Sequence, residues 1–241
     1  MFMKQVGHGG ICMDEKKIAG VKATDYIKDN MILGLGTGST AYYMIEKVGE
    51  LIKQGLRIKA VATSQITANA ANKFKIPLVS IDEVERIDLA IDGVDEIDGQ
   101  FNAIKGGGGA LFREKVVSSI ADEVIWIMDS SKVVDFIGNF PLPIEILPYG
   151  YSHILGKLKS LSLDPILRMK NNNPFVTDNN NFIVDLNIGK AFDIKYVSDI
   201  LRDIPGILET GLFSNTCDRI IVGTGNGVKV VENTNTTKLV F

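Results

Sequence analysis

Short apolar segments alternate with segments of helical spacing through the first half of this 241-residue chain, and no other feature limits its fold as strongly. Apolar runs of about five residues suit buried strands, while apolar residues three or four positions apart suit helices. Strands joined by helices of this length form a parallel sheet with right-handed crossovers. The predicted strands cover residues 31–35, 58–62, 77–80, 87–91 and 124–128, and the predicted helices cover 14–28, 41–52, 64–74 and 110–121.

The pattern changes after Gly138. Prolines separate strand-like segments there, and asparagine clusters at 171–173 and 179–181 are typical of hairpin turns. We expect an α/β protein in which residues 1–140 and 217–241 form one domain and residues 141–216 form a smaller α+β domain involved in assembly. In this second half, strands are predicted at 166–169, 175–177 and 182–186, a helix at 194–203, and a strand at 219–222 that returns to the first sheet.

Charge and composition exclude several classes of function. The net charge of −3 gives no reason to expect a general affinity for nucleic acid. No apolar run approaches the roughly 18 residues of a membrane helix, and no signal-peptide core is present near the start. Cys12 and Cys217 make no disulfide framework, so we expect a cytoplasmic protein. Residues 1–12 are expected to be a loose tail, with the ordered chain beginning near Asp14.

Polar clusters follow three of the predicted parallel strands, at residues 36–40, 92–95 and 129–132. Ligands of open α/β sheets bind beyond the carboxyl ends of the strands. Three clusters at equivalent edges therefore predict one shared pocket. The two histidines, His8 and His153, lie outside all three clusters, and we expect both to be incidental.

The segment Gly34-Leu35-Gly36-Thr37-Gly38-Ser39-Thr40 joins a predicted strand to a predicted helix. Glycines let the backbone approach a phosphate, and free N–H groups at a helix start favour an anion. A dinucleotide site is disfavoured, because Arg57 and Lys59 stand where an acidic residue would bind the ribose. A phosphate site is the preferred interpretation, and a purely structural tight turn is the alternative.

Asp92 and Asp95 are predicted to lie at a strand end and in the turn after it. Aspartate is common in turns and helix caps, so a structural role is one interpretation. A divalent-metal site that includes Glu96 is another, since carboxylates are hard oxygen ligands. Lys105 supplies a competing cation nearby, which disfavours a metal.

Lys105 precedes four glycines at 106–109, and a helix is predicted to follow them. Such a loop suits the oxygens of a substrate or an oxyanion, although a flexible surface loop is the alternative. Glu114 falls on the apolar side of the helix, where desolvation would raise its pKa toward that of a general base. Arg113 and Lys115 would oppose that rise, and an exposed, salt-bridged glutamate is an equally good interpretation from spacing alone.

Five motifs together resemble a known family: GLGTGST (34–40), LAIDGVDEID (89–98), KGGGGALFREK (105–115), DSSKVVD (129–135) and FPLPIEI (140–146). With GLF (211–213) and GTGNGVK (223–229), this ordered set closely resembles the type A ribose-5-phosphate isomerase family over nearly the whole chain. Members of that family interconvert ribose 5-phosphate and ribulose 5-phosphate in the pentose phosphate pathway, without a metal or an organic cofactor. The resemblance implies a Rossmann-like, mostly parallel sheet flanked by helices, a smaller α+β domain, and a homodimer or homotetramer.

The resemblance also implies roles for individual residues. Glu114 would be the general base, Lys105 and Asp92 would contact the reacting oxygens, and Asp95 would assist. The residues implied to bind the substrate are Thr37, Gly38, Ser39, Thr40, Asp92, Gly93, Val94, Asp95, Lys105, Gly106, Gly107, Gly108, Lys132 and Lys17. Phe112 departs from the family pattern, where a smaller or polar residue is common, without affecting the chemistry.

A rival hypothesis from a different class is a sugar-phosphate-sensing module of a transcriptional regulator that shares this kind of α/β core but does not catalyse. It would need a DNA-binding segment, and the N-terminal tail is short and not strongly basic. Rivals among enzymes are a sugar-phosphate isomerase–deaminase and an NAD-linked dehydrogenase. Both are disfavoured, because the sequence offers no suitable histidine and no ribose-binding acid.

Overall fold

The computed structural model describes residues 14–189 and 192–234. The predicted tail, residues 1–12, lies outside the described residues. Helices in these ranges are α1 (Glu15–Ala23), α2 (Ser39–Lys53), α3 (Gln65–Lys73), α4 (Leu111–Ser119), α5 (Tyr151–Ser160) and α6 (Ile194–Arg202). None of the helices in these ranges is long and apolar enough to cross a membrane.

The strands are short. They are β1 (Ile32–Leu35), β2 (Lys59–Ala62), β3 (Ile87–Gly93), β4 (Glu96–Ile97), β5 (Ala103–Ile104), β6 (Ala121–Asp129), β7 (Leu142–Ile146), β8 (Asp164–Leu167), β9 (Met169–Lys170), β10 (Asn173–Pro174), β11 (Phe182–Asn187), β12 (Ile207–Thr210), β13 (Leu212–Phe213), β14 (Arg219–Thr224) and β15 (Gly227–Glu232). Short 3₁₀ helices at Thr24–Tyr26, Ile81–Glu83 and Ser130–Lys132 complete the elements of the described ranges.

The main sheet has the strand order β15-β14-β6-β3-β1-β2. All its pairings are parallel except β14 with β15, which form a hairpin at one edge. The predicted α/β fold with a mostly parallel sheet flanked by helices is therefore confirmed, as is the return of residues 219–222 to this sheet. The strand predicted at 77–80 is wrong: Leu78 makes a single bridge to Ala60, and Pro77 has no N–H to donate to a ladder.

Both faces of the main sheet are covered, as a parallel sheet requires. Successive side chains of β3 point to opposite faces, so Leu89 and Ile91 join the core under α1 and α2, while Ala90 joins the core under α4. In α2, Met44 and Val48 are four positions apart and both are fully buried. The site described below therefore lies at the edge of a rigid, two-sided core.

A second sheet, with the order β12-β7-β11-β8, is antiparallel throughout. Its core includes Ile144, Ile146 and Val184 and residues of α5 and α6. Its strands and the two helices come from residues 142–210, although the exact domain boundaries stay a prediction. Helix α5 was not predicted, because the prolines before Gly150 suggest strands. In the structure, Ile154 and Leu158 lie on the buried face of this helix.

Asparagine turns in this part of the chain agree with the sequence pattern. Asn171 and Asn172 have positive φ angles of 52° and 62°, and they close the hairpin of β9 and β10. The strand predicted at 175–177 is wrong, because Val176 forms only a single bridge with Phe182. The neighbouring backbone instead turns back at Asn180, where φ is 63°.

A third, small sheet joins β4, β5 and β13 and was not predicted. Leu212 and Phe213 of β13 pair with Ile104 and Ala103 of β5. The amide of Lys105 continues this pairing by donating to the carbonyl of Gly211 at 2.8 Å. Lys105 is thus fixed by backbone hydrogen bonds directly after β5.

Glu145 of β7 is a fully buried carboxylate that organises the turn at 177–181. Its Oε1 accepts hydrogen bonds from Thr177 Oγ1 at 3.0 Å, Asn179 Nδ2 at 3.1 Å and Asn181 Nδ2 at 2.8 Å. Oε2 accepts none. Arg113 of α4 donates to the same turn, at Asn179 Oδ1 over 2.8 Å, so the second sheet supports the helix that carries Glu114.

Glu145→Ala should destabilise the protein by about 3 kcal/mol or more, because three donors, two of them buried, lose their acceptor and a cavity remains. Glu145→Gln should change the stability by no more than about 1 kcal/mol, since its carbonyl can accept the same hydrogen bonds. Urea unfolding of both variants measures the difference. Equal losses in the two variants would show that the hydrogen bonds to Oε1 do not hold this turn.

Candidate active site

A cavity of about 120 Å³ lies beyond the carboxyl ends of β1, β3 and β6. The three polar clusters that follow these strands all contribute to its wall, as does the glycine loop before α4. The predicted residues that line it are Thr37, Gly38, Ser39, Thr40, Gly93, Val94, Asp95, Lys105, Gly106, Gly108, Glu114 and Lys132.

Three residues predicted to bind the substrate are not in the wall. Asp92 lies behind it, buried against Lys105, and Gly107 donates its N–H to Asp95 Oδ2 at 2.7 Å. Lys17 is exposed on α1, and Lys16 is the lysine of that helix that lines the cavity. Consecutive residues of a helix point about 100° apart, and the sequence did not reveal which lysine faces the sheet edge.

The centre of the site is the ammonium group of Lys105, whose side chain is only 2% exposed. Nζ lies 2.9 Å from Asp92 Oδ2 and 3.2 Å from Glu114 Oε2, and it donates to the carbonyl of Gly93 at 2.5 Å. Burial alone lowers the pKa of Lys105, but the carboxylates of Asp92, Glu114 and Asp95 outweigh it and raise the pKa above its ordinary value. Lys105 therefore stays protonated.

Burial raises the pKa of Glu114 from 4.5 to about 8, the negative charge of Asp92 adds to the rise, and Lys105 opposes it. The contact with Lys105 is not aligned as a hydrogen bond, so Oε2 accepts none within the described residues. The flanking Arg113 and Lys115 point away, to Asn179 and to Glu209. Glu114 is thus a buried carboxylate with the properties of a general base.

Asp92 connects the polar cluster after β1 to its own cluster and to Lys105. Its Oδ1 accepts hydrogen bonds from the N–H groups of Thr37 at 2.9 Å and Gly93 at 2.7 Å, while Oδ2 faces Lys105. Gly36 makes room for it, because a Cβ atom at Gly36 would lie 2.0 Å from Asp92 Oδ1. Here the glycine is needed for close approach.

A buried hydroxyl cluster behind Thr37 was missed by the sequence analysis. Thr37 Oγ1 lies 2.8 Å from both Thr63 Oγ1 and Ser64 Oγ, and 3.1 Å from Thr67 Oγ1. Thr67 Oγ1 also donates to the carbonyl of Gly36 at 2.8 Å. Thr63 and Ser64 directly follow β2, so the argument from strand ends, applied to that strand, could have found them.

The N-terminus of α2 gives the cavity its anion-binding end. Gly38 is the N-cap residue, with φ at 127° and no side chain to cap the first N–H groups of the helix. Ser39 accepts a hydrogen bond from Lys16 Nζ at 3.1 Å, and Lys132 adds a second cation to the wall. Free N–H groups, a helix dipole and two ammonium groups together suit a phosphate.

The glycine loop forms the opposite wall. Gly106 and Gly109 have φ angles of 103° and 77°, a conformation that favours glycine, and the N–H of Gly109 donates to the carbonyl of Gly106 at 2.9 Å. Ala110 caps α4 without a side-chain hydrogen bond. Gly106 and Gly108 of the loop therefore border the cavity beside Lys105.

Two further observations concern alternative sites. In the described ranges, no group of three or more His, Cys, Asp or Glu side chains is arranged to hold a metal ion. A larger groove, lined by residues such as Leu147, Tyr149 and His153, contains none of the predicted site residues. We locate the chemistry in the cavity around Lys105, because the paired charges and the perturbed carboxylate lie there.

Comparisons with known proteins agree on one family. The model of the family ribose 5-phosphate isomerase A (phosphoriboisomerase A) matches residues 59–227. Ribose-5-phosphate isomerase A of Streptococcus pneumoniae (strain Hungary19A-6) is 45% identical over 217 residues, which cover 90% of this chain and 96% of the relative. The ribose 5-phosphate isomerase of Plasmodium falciparum superposes with a TM-score of 0.86 at 37% identity, over 91% of this chain and 98% of the other.

A solved D-ribose-5-phosphate isomerase in complex with phospho-erythronic acid is also similar. It superposes with a TM-score of 0.87 at 39% identity, covering 91% of this chain and all of the other. The bound molecule of that structure combines a carboxylate with a phosphate.

The raised pKa of Glu114 predicts how stability depends on pH. The folded protein holds a proton on Glu114 up to about pH 8, whereas the unfolded chain releases it near 4.5. This contribution to stability is fully present below pH 4.5 and is lost as the pH rises through 8. Between pH 5 and 8, the free energy of unfolding of the wild type, measured with urea, should therefore fall by roughly 2–4 kcal/mol relative to that of Glu114→Gln.

Glu50→Gln on α2 is the matched control. The hydrogen bond from Lys47 lowers the pKa of Glu50, so its carboxylate is ionised in both states above pH 5. The difference between wild type and this variant should stay constant from pH 5 to 8. An equally constant difference for Glu114→Gln would contradict the raised pKa.

Proposed function

The chain belongs to the ribose 5-phosphate isomerase A family, and from that premise we propose that Glu114 is the general base of its reaction. The protein is an aldose–ketose isomerase that interconverts D-ribose 5-phosphate and D-ribulose 5-phosphate. The reaction belongs to the pentose phosphate pathway, in its non-oxidative branch. It moves one carbon-bound proton between C2 and C1 and changes which of these carbons carries the carbonyl group.

The observation that carries the proposal is the contact of Glu114 with Lys105, at 3.2 Å in the wall of one cavity. A general base with a pKa near 8 accepts a carbon-bound proton more readily than an ordinary carboxylate. A fixed ammonium group beside it stabilises the negative charge that then develops on oxygen. Base and electrophile are thus within reach of the same two carbon atoms.

The phosphate of the substrate binds at the N-terminus of α2, with Ser39, Thr40, Lys16 and Lys132 as its partners. This assignment places the sugar across the cavity, with its reacting end at Lys105. The phospho-erythronic acid bound by the similar isomerase likewise combines a phosphate with a second anionic group. Binding the phosphate far from the reacting carbons contributes energy for positioning.

In the proposed sequence, Asp92 and Asp95 assist the opening of the furanose ring. Glu114 then removes the proton from C2, the electrons of the C–H bond form a C1–C2 double bond, and the carbonyl oxygen at C1 becomes negative. Lys105 and N–H groups of the glycine loop stabilise this enediolate. A proton passes from the oxygen at C2 to the oxygen at C1, and Glu114 returns its proton to C1, which yields the ketose.

No observation favours the rival hypothesis of a sensor that binds sugar phosphate without catalysis. The relatives reported above are named as isomerases, and the match covers almost the whole length of each. The Lys105–Glu114 pair also supports turnover, because a binding module needs no base with a raised pKa. We further propose that no metal or organic cofactor takes part, with Lys105 in the place that a metal ion would need.

Assembly and location are also part of the proposal. Tyr149, Ile66 and Phe136 are 95%, 73% and 60% exposed, and exposed aromatic or aliphatic side chains suit contacts between subunits. We propose a homodimer or homotetramer, as the resemblance to the family implies. A cytoplasmic location fits the buried, free thiol of Cys217.

Glu114→Gln should lower kcat by about 10²–10⁴-fold with KM changed by less than about 3-fold, because the amide keeps the shape but cannot accept the proton. Ketose formation from ribose 5-phosphate, measured in the presence of EDTA, tests this. Glu50→Gln, an exposed carboxylate on α2, should behave as wild type. Turnover by Glu114→Gln within about 10-fold of wild type would remove Glu114 from the role of base.

The pH profile should follow the ionisation of Glu114. Since only the carboxylate can accept the proton, kcat/KM should rise with pH and level off above about 8. Asp92→Asn removes a charge that raises the pKa of Glu114, so the midpoint of the profile should move to lower pH. Initial rates measured from roughly pH 5.5 to 9.5 cover the rise and the plateau of the profile and give the shift of its midpoint.

Ionisation of the substrate phosphate at about pH 6 affects both proteins equally and serves as an internal reference. A midpoint that stays in place or moves upward in Asp92→Asn would contradict the electrostatic coupling of these two carboxylates.

A further inference from the structure

Arg168, between β8 and β9, connects the second sheet to the glycine loop of the cavity. Its Nε and Nη2 donate to the two carboxylate oxygens of Asp185 at 2.8 and 2.5 Å. Its Nη1 donates to the carbonyls of Gly106 at 2.9 Å and Gly107 at 3.1 Å. Bidentate pairing with Asp185 fixes the plane of the guanidinium group, and therefore the direction of Nη1.

The aromatic ring of Phe175 packs against both Arg168 and the glycine loop. The guanidinium carbon of Arg168 lies 5.8 Å from the ring centre of Phe175. The same ring packs against Gly109, where a Cβ atom would come within 2.4 Å of it. With a side chain only 16% exposed, Arg168 has little freedom to move away from the loop.

The hydrogen bonds from Arg168 fix the orientation of two peptide groups. In a trans peptide, the C=O of one residue and the N–H of the next point in opposite directions. The peptide of Gly106 and Gly107 shows this directly, since its C=O faces Arg168 and its N–H donates to Asp95 Oδ2 at 2.7 Å. The peptide of Gly107 and Gly108 is held in the same way by its C=O.

It follows that the N–H of Gly108 points away from Arg168, on the side of the loop that lines the cavity. Within the described residues, this N–H has no hydrogen-bond partner. Glycine peptides rotate easily, and four in succession would hold no fixed direction by themselves. Arg168 supplies the constraint that the glycines lack.

We infer that Arg168 is a positioning residue that aims the N–H of Gly108 at the oxyanion of the enediolate. The inference rests on the proposed isomerase function and assigns a task to a residue outside the cavity wall. A donor that is already aligned stabilises charge without reorganising during the reaction. The effect should therefore appear in kcat and in the binding of a planar anion, while binding of the phosphate end should not change.

Arg168→Met and Arg168→Lys test the inference. Methionine removes all the donors, and lysine keeps a charge but cannot hold Asp185 and both carbonyls at once. Arg219→Met is the matched control, because Arg219 is 17% exposed, pairs with Glu123 and Glu232, and lies over the ring of Tyr26. Each variant is assayed for kcat and KM and titrated calorimetrically with phospho-erythronic acid and with inorganic phosphate.

We expect Arg168→Met to lower kcat by about 10–100-fold, with KM changed by less than about 3-fold. Its affinity for phospho-erythronic acid, whose planar carboxylate resembles the enediolate, should fall by a similar factor, with phosphate binding unchanged. Arg168→Lys should lie between Met and wild type, and Arg219→Met should match wild type in all four values.

Equal weakening of both ligands, or a kcat within about 2-fold of wild type, would overturn the inference. Should Arg168→Met fail to fold, Arg168→Lys decides by the same two criteria. If the wild-type protein showed no turnover, the proposed function would fail, whereas the difference between the two ligands would still show whether Arg168 aims the N–H of Gly108.

Discussion

The site depends on one buried ammonium group that must serve two carboxylates. Lys105 lies within 3.2 Å of both Asp92 and Glu114, and all three side chains are at most 5% exposed. An isolated buried charge is costly, so each of the three needs the others in place. Burial raises the pKa of Glu114, and the charge of Asp92 raises it further, because one ammonium cannot fully compensate two carboxylates.

Each of the three comes from a different part of the fold. Asp92 ends a central strand of the main sheet, Lys105 follows the small third sheet, and Glu114 lies one turn into α4. The second sheet supports two of these parts from behind, through Arg168 at the glycine loop and through the Asn179 turn at α4. This explains why a sheet that contributes no side chain to the cavity wall still matters for the chemistry. The wall residues lie between Lys16 and Lys132, whereas these two supports come from Arg168 and Asn179.

Much of the site was predictable, because the rule that produces it is local. Polar residues after parallel strands, such as Thr37 and Asp92, meet at one sheet edge whatever the details of packing. The contacts that were missed depend on helix phase or on long-range packing: Lys16 rather than Lys17 faces the cavity, and Arg168 reaches Gly106 across 62 residues of sequence. Helix α5 was missed for a related reason. The prolines before it suggested strands, and the spacing of Ile154 and Leu158 identifies a helix only once the second sheet that covers them is known. From spacing alone, a general base and an exposed, salt-bridged glutamate were equally good interpretations of Glu114, and its burial beside Lys105 excludes the exposed one.

The charge of Asp92 has two effects that the chemistry needs together. It raises the pKa of Glu114, which makes that carboxylate a better acceptor for a carbon-bound proton, and it raises the pKa of Lys105, which keeps the ammonium protonated. Moving Asp92 away would weaken both the proposed base, Glu114, and the proposed electrophile, Lys105. Its position is fixed by the N–H groups of Thr37 and Gly93 and by the absence of a side chain at Gly36. Asp92 therefore carries the charge that the site needs, and Gly36 leaves the space in which that side chain fits.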